Sequence, residues 1–220
     1  SSTYGRIYVY VSSATFDGTN TQIILTDNTI STNQANIWLG YHSSPLNANI
    51  KTGTYSHAEG GATLSSGTGA HAEGENNEAQ GDYSHAEGSG TLATGDYSHA
   101  EGNNTKATSL YSHAEGSQTI SSGTASHAEG VSTQATGDYS HAEGYYTNAS
   151  GSYSHAEGQQ TIASGDYQHV SGKFNVASSN TNDLFIIGNG TSTDARSNVF
   201  VVNTASVIVG GNISASGNIN

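Results

Sequence analysis

The chain has 220 residues, only 33% of them apolar, with 28 Gly, one Pro and a formal net charge of −13. It has no Cys and no Met, which excludes a disulfide framework, a thiolate metal site and a thiol nucleophile. Five basic residues in all exclude the clustered footprint of a nucleic-acid binder, and no apolar run approaches the roughly 18 residues of a membrane-spanning helix.

Residues 1–54 read as strands and turns that form an N-terminal β cap or shaft segment. Arg6–Val11, Gln22–Thr26 and Asn36–Tyr41 are short β-branched and aromatic runs bounded by Gly, Asn, Asp and Ser. The single Trp, Trp38, is expected to anchor the packing of this cap. A repeat array needs such an end, because its first coil would otherwise expose an unpaired strand edge.

From residue 55 to 172 the chain keeps a strict 14-residue period. Tyr-Ser-His-Ala-Glu-Gly, or a close variant, returns nine times. His57, His71, His85, His99, His113, His127, His141, His155 and His169 mark the copies, and Glu59, Glu73, Glu87, Glu101, Glu115, Glu129, Glu143 and Glu157 stand two residues after the first eight. Ser171 stands where a ninth Glu would be. So short and regular a period predicts an all-β fold, a parallel β-roll or β-solenoid of 14-residue coils.

Comparing copies assigns the faces. In one copy Tyr97, His99 and Glu101 alternate with Ser98, Ala100 and Gly102, so the two sets are expected on opposite sides of a strand. After a corner at Asn103 and Asn104, Thr105 and Ala107 flank Lys106. That middle position drifts through Leu64, Glu78, Leu92, Ile120, Gln134, Asn148 and Ile162, whereas Thr63, Thr91, Thr119, Thr133, Thr147 and Thr161 form a file broken by Asn77. Small constant residues are expected inside a thin roll and the drifting position in solvent. Gly67, Gly81, Gly95, Gly123, Gly137, Gly151 and Gly165 are expected to supply corner dihedrals. Asp82, Asp96, Asp138 and Asp166, just before the Tyr slot, are expected to support turns.

Tyr, His and Glu then point outward yet hardly vary. A constant outward face calls for an equally regular partner, and the simplest is a second and third copy about an axis. Stacked at strand spacing, adjacent Glu lie ~5 Å apart and repel by about 3–4 kcal/mol at an effective dielectric of 20. Histidine is the one donor present at matching frequency. The expectation is a homotrimer in which His of one chain meets Glu of the next, coil after coil, with the imidazole pKa raised by its partner. Strand spacing of His and Glu also suits divalent ions, but nine copies suit a structural ladder better than a reaction centre, so no metal, cofactor or catalytic residue is assigned. Equal environments for every Glu argue against paired-carboxylate catalysis. The chain is not expected to be an enzyme.

Residues 173–220 lose the period. Leu184–Gly188, Asn198–Val202 and Ser206–Gly210 read as strands leading toward further fibre, and Arg196 is expected to pair with Asp194.

The 14-residue coil with Ser-His-Ala-Glu-Gly resembles the head repeat of trimeric autotransporter adhesins, where a Ser-Val-Ala-Ile-Gly-like strand fills the same slot. That resemblance implies a left-handed parallel roll, three side by side, with the two apolar slots facing the trimer axis. Here His and Glu fill those slots, so the implied axis is polar. The Ser-His-Ala-Glu-Gly version is similar to repeats of phage tail-fibre and tailspike proteins. Phe185-Ile186-Ile187-Gly188-Asn189-Gly190-Thr191, with Ala195-Arg196-Ser197-Asn198, is similar to the segment after those repeats. The resemblance covers residues 55–200. It implies a virion tail appendage, extracellular, that positions binding to a host cell-surface receptor such as a glycan and joins other tail or baseplate proteins. The alternatives are a bacterial trimeric surface adhesin, and a spike whose polysaccharide-degrading site lies outside this chain.

Overall fold

A computed structural model describes residues 11–16, 21–25 and 49–211. The chain divides into two compact units, residues 1–41 and 42–220. In the first, Val11–Phe16 pairs antiparallel with Thr21–Leu25, an irregularity in register falling between Val11 and Ser13. The expected strand at 22–26 therefore has its counterpart at Thr21–Leu25. The expected strands 6–11 (apart from Val11) and 36–41, and Trp38, lie outside the described residues.

The second unit is a parallel β-solenoid of about ten turns, and the described residues contain no helix. Each coil supplies one five-residue strand, such as His99–Asn103, and one two-residue strand, such as Lys106–Ala107. His99–Asn103 pairs in parallel with His85–Ser89 on one side and His113–Ser117 on the other. The register puts His on His, Ala on Ala and Glu on Glu. The short strands stack likewise into a nine-stranded sheet that begins at Ile50–Lys51, so coiling starts before Tyr55. The nine long strands and three further strands at one end make up a twelve-stranded sheet.

The interior is made of small side chains, as the comparison of copies predicts. Ala100, Ala107 and Thr105 are fully buried, Ser98 nearly so, and their equivalents from Thr63 onward behave alike, while the drifting position is exposed at Lys106 and Gln134 and half-buried in the other coils. A roll this thin has no room for a large apolar residue, which is why a chain one-third apolar can fold. The backbone supplies the rest: each short strand donates to the next coil, as Lys106 N–H does to Thr119 O at 2.9 Å.

The corners differ from expectation in two ways. Tyr97 is not part of the strand, which starts at His99. It occupies the third position of a turn closed by Ser98 N–H to Gly95 O at 3.2 Å, with φ of 57°. Every Tyr of the repeat motif has φ between 56° and 60°. The left-handed conformation costs a bulky residue about 1–2 kcal/mol. Stacking offsets it, since Tyr97 lies between Tyr83 and Tyr111 with centroids 5.3 and 5.4 Å away.

The second difference concerns glycine. Gly95 and its equivalents do not supply positive φ; a Cβ there would overlap backbone of the next coil. Positive φ is found instead at the Gly of His-Ala-Glu-Gly, 113° at Gly102, where a Cβ would also overlap the Gly116 carbonyl. Gly102 is half-exposed rather than interior, so strict alternation ends at Glu101.

Beyond Lys173 the long sheet continues. Asp183–Asn189 pairs in parallel with His169–Lys173, then Asn198–Asn203 and Val207–Val209 add antiparallel. All three expected strands are present, within one or two residues. The short sheet ends differently. The side chain of Asn175 accepts from Ile162 N–H at 2.7 Å and donates to Ile162 O at 2.9 Å, standing in for the missing next strand. Arg196 does not pair with Asp194. Its guanidinium donates to the carbonyls of Gln160 and Asn175 at 2.8 and 3.1 Å, tying this segment to the last coils.

Candidate functional site: the histidine–glutamate strip

The long strand carries His and Glu on the side opposite the buried Ala. Because each strand pairs residue for residue with its repeat equivalent, nine imidazoles form one file and eight carboxylates another. Successive rings from His71 to His141 stack with centroids 4.7–4.8 Å apart and planes within 10°. Two junctions are looser: His57 and His71 meet at 72°, and His141 and His155 at 34°, before His155 and His169 stack again at 12°. All seventeen residues anticipated for the strip thus share one face of one chain.

Within that chain each carboxylate has an imidazole, but the pairing changes direction along the roll. His57, His71, His85, His99 and His113 lie 3.2–3.9 Å from the Glu of their own coil, namely Glu59, Glu73, Glu87, Glu101 and Glu115. His141, His155 and His169 lie 3.4–3.8 Å from the Glu of the coil before, namely Glu129, Glu143 and Glu157. His127 falls at the changeover and has no carboxylate within 4.0 Å among the described residues.

Few of these pairs are hydrogen bonds. His57 reaches Glu59 at 3.2 Å and His169 reaches Glu157 at 3.4 Å. The remainder lie at 3.5–3.9 Å, at or beyond the hydrogen-bond limit. The Nε2 atoms of His71, His85, His99, His113, His127, His141 and His155 are shielded from solvent and lack a hydrogen-bond partner among the described residues. The ladder of hydrogen bonds expected for the strip is therefore not completed by one chain alone.

Burial pushes the imidazoles of His85, His99, His113, His127 and His155 below the ordinary histidine value, and their stacked neighbours push the same way. The nearby Glu carboxylates oppose this without overcoming it. Within one chain the carboxylates therefore leave these five values lowered, because a ring packed between two other rings loses more hydration than one half-exposed carboxylate restores.

Beside the rings, Glu115, Glu129, Glu143 and Glu157 line an open groove of about 360 Å³ floored by Gly130, Gly144 and Gly158. The corner Asp residues do something not anticipated: each accepts from a backbone N–H one coil away, as Asp96 Oδ1 does from Asp82 N–H at 2.9 Å and Asp138 Oδ1 from Thr124 N–H at 2.8 Å. They cross-link coils rather than brace their own turns. The Thr file is buried and offers no exposed hydroxyl face. Neither a protein-family model nor a curated protein sequence matches this chain.

Proposed function

We propose that the chain is a segment of a homotrimeric extracellular fibre, of the phage tail-fibre or tailspike kind, and that the His and Glu files are the seam between its chains. The observation that carries this reading is the strip itself: half-exposed, constant but for Ser171, and in register over nine coils. A neighbouring copy repeats the same side chains at the same spacing and can cover it. The work of such a segment is mechanical, holding host-binding surfaces at a distance from the particle. The motif resemblance over residues 55–200 supports the phage assignment over a bacterial surface adhesin. Sedimentation equilibrium tests the assembly. A mass about three times 22.6 kDa is expected, and a species of 22.6 kDa at micromolar concentration would contradict the trimer.

A further inference from the structure

Nine imidazoles and eight carboxylates cannot all pair. His57 has no preceding repeat Glu, so it takes its own. His169 has Ser171 where its own Glu would be, so it takes Glu157. These two ends impose opposite pairing directions, and one His between them must be left over. The structure puts the odd one at His127. The two coils leading into His127 also depart from the commonest repeat: Ser109 stands in the Gly slot, Ser121 in the Ala slot and Ala125 in the Tyr slot.

We propose that this fault is a binding site for one divalent transition-metal ion, held by Nε2 of His113, a carboxylate oxygen of Glu115 and Nε2 of His127. A ligand atom from each of these residues lies within 4.8 Å of the others. His113 and Glu115 stand 3.7 Å apart, too long for a hydrogen bond and close to the separation of two ligands on one tetrahedral ion, ~3.3 Å for bonds of about 2.0–2.1 Å. On the three rungs after it the next imidazole already pairs with the rung's carboxylate, and on the four before it the next imidazole faces its own. His127 does not, because Glu129 lies against His141. The 7° stack of His113 on His127 must open for both lone pairs to reach one ion, and rings of this file already tilt by 34° and 72° elsewhere. Two imidazoles and a carboxylate suit Zn²⁺, Ni²⁺ or Cu²⁺ over Mg²⁺ or Ca²⁺, with water as the fourth ligand. All three protein ligands belong to one chain, so the site does not depend on the trimer.

The test is titration of the metal-free full chain with Zn²⁺ by calorimetry and with Co²⁺ by visible absorption, read per chain. One site tighter than any others is expected, with a tetrahedral Co²⁺ band. His127→Gln should weaken it at least roughly tenfold, with circular dichroism confirming that the variant stays folded. His85→Gln should leave it unchanged. Ser171→Glu is decisive, because it lies three coils from His127 and cannot be a ligand. It supplies the ninth carboxylate, lets every His take its own Glu, and should weaken the site by a similar factor. Unchanged affinity in His127→Gln or Ser171→Glu, equal loss in His85→Gln, or no saturable binding would each overturn the proposal.

Discussion

His169 pairs backward: its Nε2 lies 3.4 Å from Glu157 Oε1, the carboxylate of the coil before, rather than from any group of its own coil. Ser171 leaves it no alternative. One substitution at the end of a periodic strip thus sets the pairing direction of three coils, and the strip answers with an unpaired ring at His127. Long-range order of this kind comes from translational repetition, since each rung shares its partner with the next.

The pH response derives from the lowered imidazole pKa values. For His85, His99, His113, His127 and His155 the folded value lies below the ordinary 6.5 of the unfolded chain. The unfolded chain therefore binds more protons between the two values, and stability rises with pH there. It is fully present above 6.5 and is lost as pH falls toward the folded values. Thermal melts of the single-chain form are expected to give a lower midpoint at about pH 5.5 than at about pH 7.5, and no decline from there to about pH 8.5. A midpoint that falls with rising pH over roughly pH 6–8 would contradict this.

Gly102 combines a φ of 113° with direct overlap between any Cβ and the Gly116 carbonyl. Gly102→Ala is expected to destabilise by about 2 kcal/mol or more, since both backbone strain and close approach oppose it. Urea unfolding measures the difference. A loss below about 0.5 kcal/mol, the scale of an ordinary surface change, would show that the coil spacing relaxes.

Tyr97 offers a separation of strain from stacking. Tyr97→Ala loses both ring contacts and keeps the left-handed backbone, so a loss of about 1–2 kcal/mol is expected. Tyr97→Gly loses the same contacts but relieves the strain, so it should be the milder change. Gly69 already occupies the equivalent slot with φ of 64°. Paired urea titrations decide the order of the two variants.

Arg196 holds the carbonyls of Gln160 and Asn175 from a strand-linking segment. Arg196→Ala leaves both acceptors without this donor and should cost about 1–3 kcal/mol. Hydrogen exchange should rise first in residues 174–198 rather than in the central coils. Uniform loss of protection along the roll would contradict the assignment.

The architecture was legible because drift and near-constancy separate: Lys106 and its equivalents range from Leu to Glu, while the Ala100, Thr105 and Ala107 slots hold small residues with few exceptions and are the more deeply buried. The corners were less legible. Tyr-Ser-His-Ala-Glu-Gly reads as one alternating strand, but the turn bond from Ser98 N–H to Gly95 O and the positive φ of Gly102 confine the alternation to a few residues. Glycine identity alone did not distinguish dihedral freedom at Gly102 from close coil approach at Gly95. Membership of the strip was readable residue by residue. Its pairing direction was not, because that depends on conditions at both ends at once. Nor was the burial of each imidazole between stacked rings of the same chain, which depends on the coil spacing.

The central claim is that the His and Glu strip is covered by neighbouring chains. Carbethoxylation of histidine in the assembled particle, read by mass spectrometry, tests it most directly. In one chain the imidazoles paired from His71 to His155 are 32–36% exposed. In a particle joined along this strip, His85, His99 and His113 should be modified far more slowly than in the same particle dissociated but still folded. Equal rates in the two states would contradict the claim.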